Sequence, residues 1–241
     1  YWRNKWQFGI YGQAQTIVNE FLLLKVGARW DKVSIDSGSD DSRIIITKDQ
    51  LDDTHFSWNA GIMLLNDYGI SPYVNYSEAF FANASLAYAG FDNKYLYGLT
   101  EPTNTKQIEY GLKLTPNWLD GFVNIAFFNL KQDNAMTPSL VNGAPAWTPV
   151  SVQKANGIEV QARASVFKHL TFDVSYTYLD KTDGDDEVRT VMTPKHMASG
   201  WVSYNFADLG LSGLTLGAGV RYIGSSVGHY VNEQVPDVTL W

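Results

Sequence analysis

Residues 157 to 166 read GIEVQARASV, and their alternation decides the fold class. Ile158, Val160, Ala162, Ala164 and Val166 are apolar, whereas Glu159, Gln161, Arg163 and Ser165 between them are polar. Successive side chains of a strand point to opposite faces, so this period of two describes a strand with one apolar and one polar face. The neighbouring stretch repeats it: Leu170, Phe172, Val174, Tyr176 and Tyr178 alternate with Thr171, Asp173, Ser175 and Thr177. Leu22 to Asp31, Ile108 to Leu114 and Leu214 to Tyr222 behave alike. Along the whole chain the pattern predicts strands near 6–14, 21–33, 54–66, 71–82, 104–115, 121–133, 152–166, 170–182, 196–206 and 214–226, with an eleventh beginning near 237. In 122–131 the facing stays open, because Val123, Ile125 and Phe127 compete with Phe128 and Leu130 for the apolar side. Elsewhere the even positions are expected to touch hydrocarbon and the odd ones a wet interior.

The connections alternate in length. Short ones fall at 15–20, 67–70, 116–120 and 167–169, and long ones at 34–53, 83–103, 134–151 and 183–195. A soluble sandwich has no reason for this asymmetry, but an outer-membrane barrel does, with short periplasmic turns and long extracellular loops. Strand lengths agree, since about 9–11 tilted residues cross a bilayer. Tyr68, Trp118 and Phe167 sit at the short turns and Trp30, Phe56 and Trp58 near the opposite rim, as two interfacial belts would. The predicted fold is all-β: an antiparallel up-and-down transmembrane β-barrel, present as an incomplete barrel of about 10–11 strands. So broad a polar face belongs to the large barrels that enclose a channel or a plugged lumen.

Composition excludes several functions. The 241 residues suit one large all-β domain, with aromatics at 14% and charged residues at 18%. A formal net charge of -7 argues against nucleic acid as a partner. The absence of cysteine removes disulfides, thiolate metal sites and a thiol nucleophile. No window approaches the roughly 20 apolar residues of a membrane helix. No serine sits in a strand-to-helix elbow either, so an enzyme is not expected.

At this point the motifs invite comparison. SPYVNYSEAF (71–80), EPTNTKQIEYGLKL (101–114), NGIEVQARA (156–164), SYTYLD (175–180), TPKHMASGWVSYNF (193–206) and LSGLTLGAGVRYIGSS (211–226) resemble successive strand motifs of TonB-dependent ferric-siderophore receptors of the ferrichrome type, in order and spacing. The resemblance implies a barrel of 22 strands, of which these would be roughly strands 10 to 20, closed around an N-terminal plug. On that reading residues 1–241 form one partial barrel domain, a fragment without the plug, the TonB box and the last strands. It further implies a protein of the bacterial outer membrane that imports a ferric siderophore with energy from TonB. The alternatives are a TonB-dependent receptor for cobalamin or a glycan, and a structural or adhesive barrel.

Candidate site residues follow from the strand faces and the loops. The charges Lys25, Arg29, Glu109, Lys113, Glu159, Arg163 and Arg221 lie on polar faces and are expected to face the lumen. A ferric hydroxamate chelate is bulky, nearly neutral and partly apolar, so ligand contact is expected from the loop aromatics Tyr88, Phe91, Tyr95, Tyr97, Trp147 and Tyr230. His55, His169, His196 and His229 lack metal spacing, and no resident cofactor is expected, the iron chelate being cargo. Asp180, Asp183, Asp185, Asp186 and Glu187 superficially resemble a calcium loop; a solvated acidic loop near lipid and lipopolysaccharide phosphates is the competing reading. Gly213, Gly217, Gly219 and Gly224 would let a strand bend and a plug backbone approach the wall. With two unpaired edges and an apolar surface, the piece should aggregate in water without detergent.

Overall fold

The computed structural model describes residues 2–46, 49–82, 89–91, 94–141, 144–184, 188–211, 213–228 and 233–241. The strands in chain order are β1 (Trp2–Val18), β2 (Leu22–Gly38), β3 (Ile44–Ile46), β4 (Gln50–Leu64), β5 (Ile70–Phe81), β6 (Ala89–Phe91), β7 (Lys94–Tyr97), β8 (Thr103–Leu114), β9 (Asp120–Val141), β10 (Ala144–Val166), β11 (Leu170–Asp183), β12 (Val188–Arg189), β13 (His196–Asn205), β14 (Thr215–Ile223), β15 (Ser226–Val227), β16 (Gln234–Val235) and β17 (Val238–Leu240). One sheet runs β1-β2-β4-β5-β8-β9-β10-β11-β13-β14-β17, and every neighbouring pair is antiparallel. This is the up-and-down order expected of a barrel wall. The path ends at β1 and β17 without closing.

The short connections have local causes. Asn19 and Glu20, and likewise Phe167 and Lys168, take positive φ and reverse the chain within three residues. At the β4–β5 turn the Asn66 side chain accepts from Tyr68 and Ile70 N–H, with Gly69 at φ +69. The Asn205 side chain caps a 3-10 turn at Phe206–Leu209.

Register settles which side chains share a face. Lys113 lies opposite Asn124, Gly111 opposite Ala126 and Glu109 opposite Phe128. In β9, therefore, Val123, Ile125 and Phe127 join the apolar face with Leu114, Leu112 and Tyr110, and the even residues turn to the polar face. The parity that holds in the neighbouring strands is reversed here, and Phe128 fills the space above Gly157, where a Cβ would come within 2.4 Å of its ring.

The long connection expected at 134–151 is instead mostly ladder. β9 and β10 stay paired out to Val141 and Ala144, beyond the last partner β11 offers, Asp183 opposite Gln153. Among the described residues the outer part of this hairpin pairs with no third strand, so Pro138, Pro145 and Pro149 interrupt no further ladder there. Two long connections also meet, β3 pairing in parallel with β7, and β7 with β6.

Buried apolar side chains are sparse among the described residues. Val33, Ile35, Leu51, Ala82 and Leu99 form one cluster with Phe80 against it, at the long-connection end. Trp6, Phe8, Ile10, Trp30, Phe56, Trp58, Tyr110, Phe127, Val174 and Val220 are exposed. No second sheet covers the apolar face in the described residues, the opposite of a sandwich.

Candidate functional site

The polar face is continuous across the wall. Reading through the register, Ser71 stands opposite Lys113, then come Asn124, Gln161, Ser175, Ser199 and Arg221 on successive strands. Two of the charges selected from the sequence, Lys113 and Arg221, thus lie in one row with neutral hydrogen-bonding groups between them. A parallel row joins Lys25, Gly61, Asn75 and Glu109. Glu159 lies opposite Ala126 and Thr177 on the same face.

Three local networks fix these groups. Glu109 accepts from Tyr73 Oη at 2.9 Å and Gln107 Nε2 at 3.1 Å, while Lys113 Nζ stands 5.5 Å from the Tyr73 ring centre. Asp31, 2% exposed, accepts from Arg29 Nε at 2.6 Å, Arg29 Nη2 at 2.7 Å and Gln7 Nε2 at 3.1 Å. That bidentate fork satisfies a carboxylate withdrawn from water. Arg163 pairs with Asp173 at 3.6 Å, both partly exposed, in the row that continues to Trp201. Sequence reasoning placed Asp31 and Asp173 in alternating strands but did not select them, Tyr73 or Trp201 among the lumen-facing residues. Their odd numbers in alternating strands were the available signal, hidden for Tyr73 and Trp201 by their being aromatic.

Trp201 also changes the reading of the glycines. A Cβ on Gly217 would meet Trp201 Cζ2 at 2.5 Å, and one on Gly219 would meet Cε3 at 2.5 Å. The space beside the glycine pair is filled by the indole of the adjacent strand, so a ring makes the close approach there. At Gly224 the approaching group is backbone, the His196 carbonyl oxygen at 2.8 Å.

The loop candidates are less well described. Tyr88 and Tyr230 lie outside the described residues. Phe91 falls in β6, Tyr95 and Tyr97 in β7, where they are partners of Ile44 and Ile46, and Trp147 in the outer hairpin opposite Pro138. The register therefore gathers Tyr95, Tyr97 and Phe91 into one small loop sheet, and puts Trp147 on a different hairpin. Asp185, Asp186 and Glu187 also lie outside the described residues. Asp183 accepts from Thr137 Oγ1 at 2.8 Å, Gln153 Nε2 at 2.6 Å and Thr190 Oγ1 at 2.9 Å, and Asp180 pairs with Lys195 at 2.5 Å. These two carboxylates hold protein groups, which leaves the calcium-loop reading without its inner ligands. No cluster of metal-ligating side chains occurs among the described residues.

A family model described as TonB dependent receptor-like, beta-barrel matches residues 1–241. The chain belongs to the TonB-dependent receptor β-barrel family. The family is one of receptors in the bacterial outer membrane and not an enzyme class. The receptor wall is 35% identical over 235 residues to the ferrichrome outer membrane transporter/phage receptor of Escherichia coli K12, covering 94% of this chain and 29% of that protein. It is 28% identical over 240 residues to the ferrioxamine receptor of Yersinia enterocolitica, covering 97% of this chain and 31% of the relative. The chain thus spans about a third of the length of the relatives it matches. Among solved structures, Pseudomonas aeruginosa FpvA bound to heterologous pyoverdines superposes with a TM-score of 0.74 at 21% identity, covering 98% of this chain and 32% of that one. At that identity the likeness establishes the fold alone.

Proposed function

We propose that this chain is the wall and part of the loop set of a receptor that binds a ferric hydroxamate siderophore outside the cell and imports it with energy from TonB. The observation that carries the reading is the relationship to receptors named for ferrichrome and ferrioxamine, at 35% and 28% identity over nearly the whole chain. The geometry supports it. Lys25, Arg29, Glu109, Lys113, Glu159, Arg163 and Arg221 share the face that a closed barrel turns inward, where mixed charges and amides keep a passage hydrated without favouring one sign. A nearly neutral chelate needs such a lining more than a charged funnel. Recognition then falls to the loop aromatics Tyr88, Phe91, Tyr95, Tyr97, Trp147 and Tyr230 together with a plug domain supplied by the longer protein. TonB acts through that part of the protein, and the iron chelate is cargo, so no resident cofactor is required.

Uptake of radiolabelled iron as ferrichrome or ferrioxamine, by cells with and without the parent gene, tests this. Loss of uptake on deletion, restored by the full-length gene, is expected. Unchanged uptake of both chelates removes the siderophore reading.

A further inference from the structure

At the outer end of the wall one carboxylate ties three segments together. Asp183, the last residue of β11, stands opposite Gln153, on the face that carries Glu159 and Gln161. Its Oδ1 accepts from Gln153 Nε2 and Thr190 Oγ1, and its Oδ2 accepts from Thr137 Oγ1. Thr137 belongs to β9, Gln153 to β10 and Thr190 to the connection between β12 and β13. All three donors are buried, so water is a poor substitute for the carboxylate.

The segment this contact controls is the outer β9–β10 hairpin. β9 bends at Asn134, a left-handed residue at φ 58, between the pairs Asp133–Val152 and Ala135–Val150. Below the bend β9 is flanked by β8 and β10 by β11. Above it the ribbon depends for its direction on what holds its base. Asn134 Nδ2 donates to the Pro102 carbonyl at 3.3 Å and Thr103 Oγ1 donates to the Asn134 carbonyl at 2.9 Å, which fixes the bend itself. A contact at a pivot leaves rotation about it. The Thr137 bond to Asp183, three residues beyond the pivot, removes that rotation. On its other side β10 comes within 8 Å of β6, measured between Cα atoms, and β6 is the edge of the loop sheet that contains Phe91, Tyr95 and Tyr97. Trp147 lies in the hairpin. The direction of the ribbon therefore sets the gap between two segments that carry candidate ligand aromatics.

We propose that Asp183 is a positioning residue for ligand capture: through Thr137 it holds the Trp147 hairpin beside the loop sheet, so that both segments meet the iron chelate in one arrangement. The proposal takes its ligand from the siderophore reading, but its mechanics are independent of that reading. A binding-competent arrangement populated less often weakens apparent affinity by the same factor, and the loss of a hydrogen bond to a charged acceptor shifts such a local equilibrium on the order of 10-fold. The wall below is held separately, by the β10–β11 ladder and by Gly184 N–H donating to the Val152 carbonyl.

The test measures equilibrium binding and concentration-dependent uptake of radiolabelled ferrichrome and ferrioxamine by cells carrying the full-length receptor. Asp183→Ala is expected to raise Kd and the half-saturating concentration on the order of 10-fold, with the maximal uptake rate within about 2-fold of wild type. Asp183→Asn should restore most of the affinity, because its amide still accepts from two partners and can donate to the Thr137 hydroxyl, which also accepts. Trp147→Ala should weaken binding in the wild type and add little in the Asp183→Ala background. Thr137→Val, which removes one bond only, should act in the same direction by about 3-fold or more, and keeps the test decisive if Asp183→Ala fails to assemble. Spin labels introduced by Ser139→Cys and Lys94→Cys report the hairpin-to-loop-sheet distance without ligand: one narrow distribution is expected, broadened by Asp183→Ala or Thr137→Val. Unchanged affinity in both variants, a fall in maximal rate at unchanged affinity, equal loss in Asp183→Asn and Asp183→Ala, or an unaltered distance distribution would each overturn the proposal. A wild-type receptor that takes up neither chelate removes the siderophore reading instead, and the distances then decide the role of Asp183 by themselves.

Discussion

A single arginine can distinguish the two faces of this wall. Val174, in β11, lies between Ala162 and Gly200 on the apolar face and is 48% exposed. It stands about 10 Å from the short-turn end at Leu170, close to the middle of an apolar band about 25 Å tall. Gln161 is at the same depth, opposite Ser175, but on the polar face. Arginine on the lipid side near the midplane costs about 2–4 kcal/mol, whereas a lumen-side arginine meets water, the Asn124 amide and the Ser175 hydroxyl. Val174→Arg should thus shift the folding equilibrium by roughly 30- to 700-fold, and Gln161→Arg by less than about 3-fold. The assay is reversible urea unfolding of the full-length receptor in lipid vesicles, followed by tryptophan fluorescence. Equal penalties for the two substitutions, or a larger one for Gln161→Arg, would refute the assignment of faces and with it the membrane interpretation.

Gly217→Ala should cost about 1–3 kcal/mol, because its Cβ would fall 2.5 Å from Trp201 Cζ2, and most of that cost should vanish in the Trp201→Ala background; a double-mutant cycle in urea measures the coupling. Asp183→Ala strips the acceptor from Thr137, Gln153 and Thr190, and hydrogen exchange of 135–150 and 188–195 should accelerate by roughly 10-fold or more while the membrane strands stay protected. In the β2–β3 loop the Arg43 side chain and backbone N–H hold the Asp41 carboxyl down to about 2, below its ordinary range. A depressed folded-state value means that the loop's local order is unaffected above the ordinary carboxylate range and is lost as pH falls from there through about 2. Limited proteolysis of this loop by pepsin should consequently rise towards the acid end, and Asp41→Asn should flatten that dependence.

How much of this was legible depended on whether two solvents wrote the pattern. Strands β10, β11 and β14 have lipid on one side and polar groups on the other, so their sequences alternate and their positions were readable. β9 could not be read because its polar face carries Phe122, Phe128 and Leu130, and what Phe128 packs on, Gly157, is contributed by the next strand. The outer part of the β9–β10 hairpin looked like a loop because prolines normally end strands, and only its isolation from β11 makes them tolerable. Loop contacts such as β3 with β7 join residues some fifty positions apart, for which alternation carries no information. The site divides the same way. Wall charges could be picked by parity, whereas ligand contacts depend on loops whose pairing the sequence does not encode locally.

β2 contains a further signal, an inversion of its own pattern. From Leu22 to Asp31 the even residues are apolar and the odd ones include Lys25, Arg29 and Asp31; beyond that, Lys32, Ser34 and Asp36 are polar while Val33 and Ile35 are fully buried. The strand is unbroken through the switch, so the faces have not rotated; the surroundings have. Where lipid covers the outside, apolar side chains belong there. Above the lipid both sides meet water, and apolar side chains are stable only under other protein, here Leu51, Ala82 and Leu99. β4 inverts at the matching register, with Leu51 below cover and Asp52 and Thr54 outward, before Phe56 and Trp58 resume the apolar face. The line through Ile10, Trp30 and Phe56, which are direct partners on three strands, is where the wall leaves hydrocarbon. On the far strands the Asn129–Asn156 pair under Lys131 and Lys154 marks the same exit. A soluble sheet has no cause to exchange its greasy and wet faces partway along a continuous strand, whereas a wall that crosses from lipid into water must.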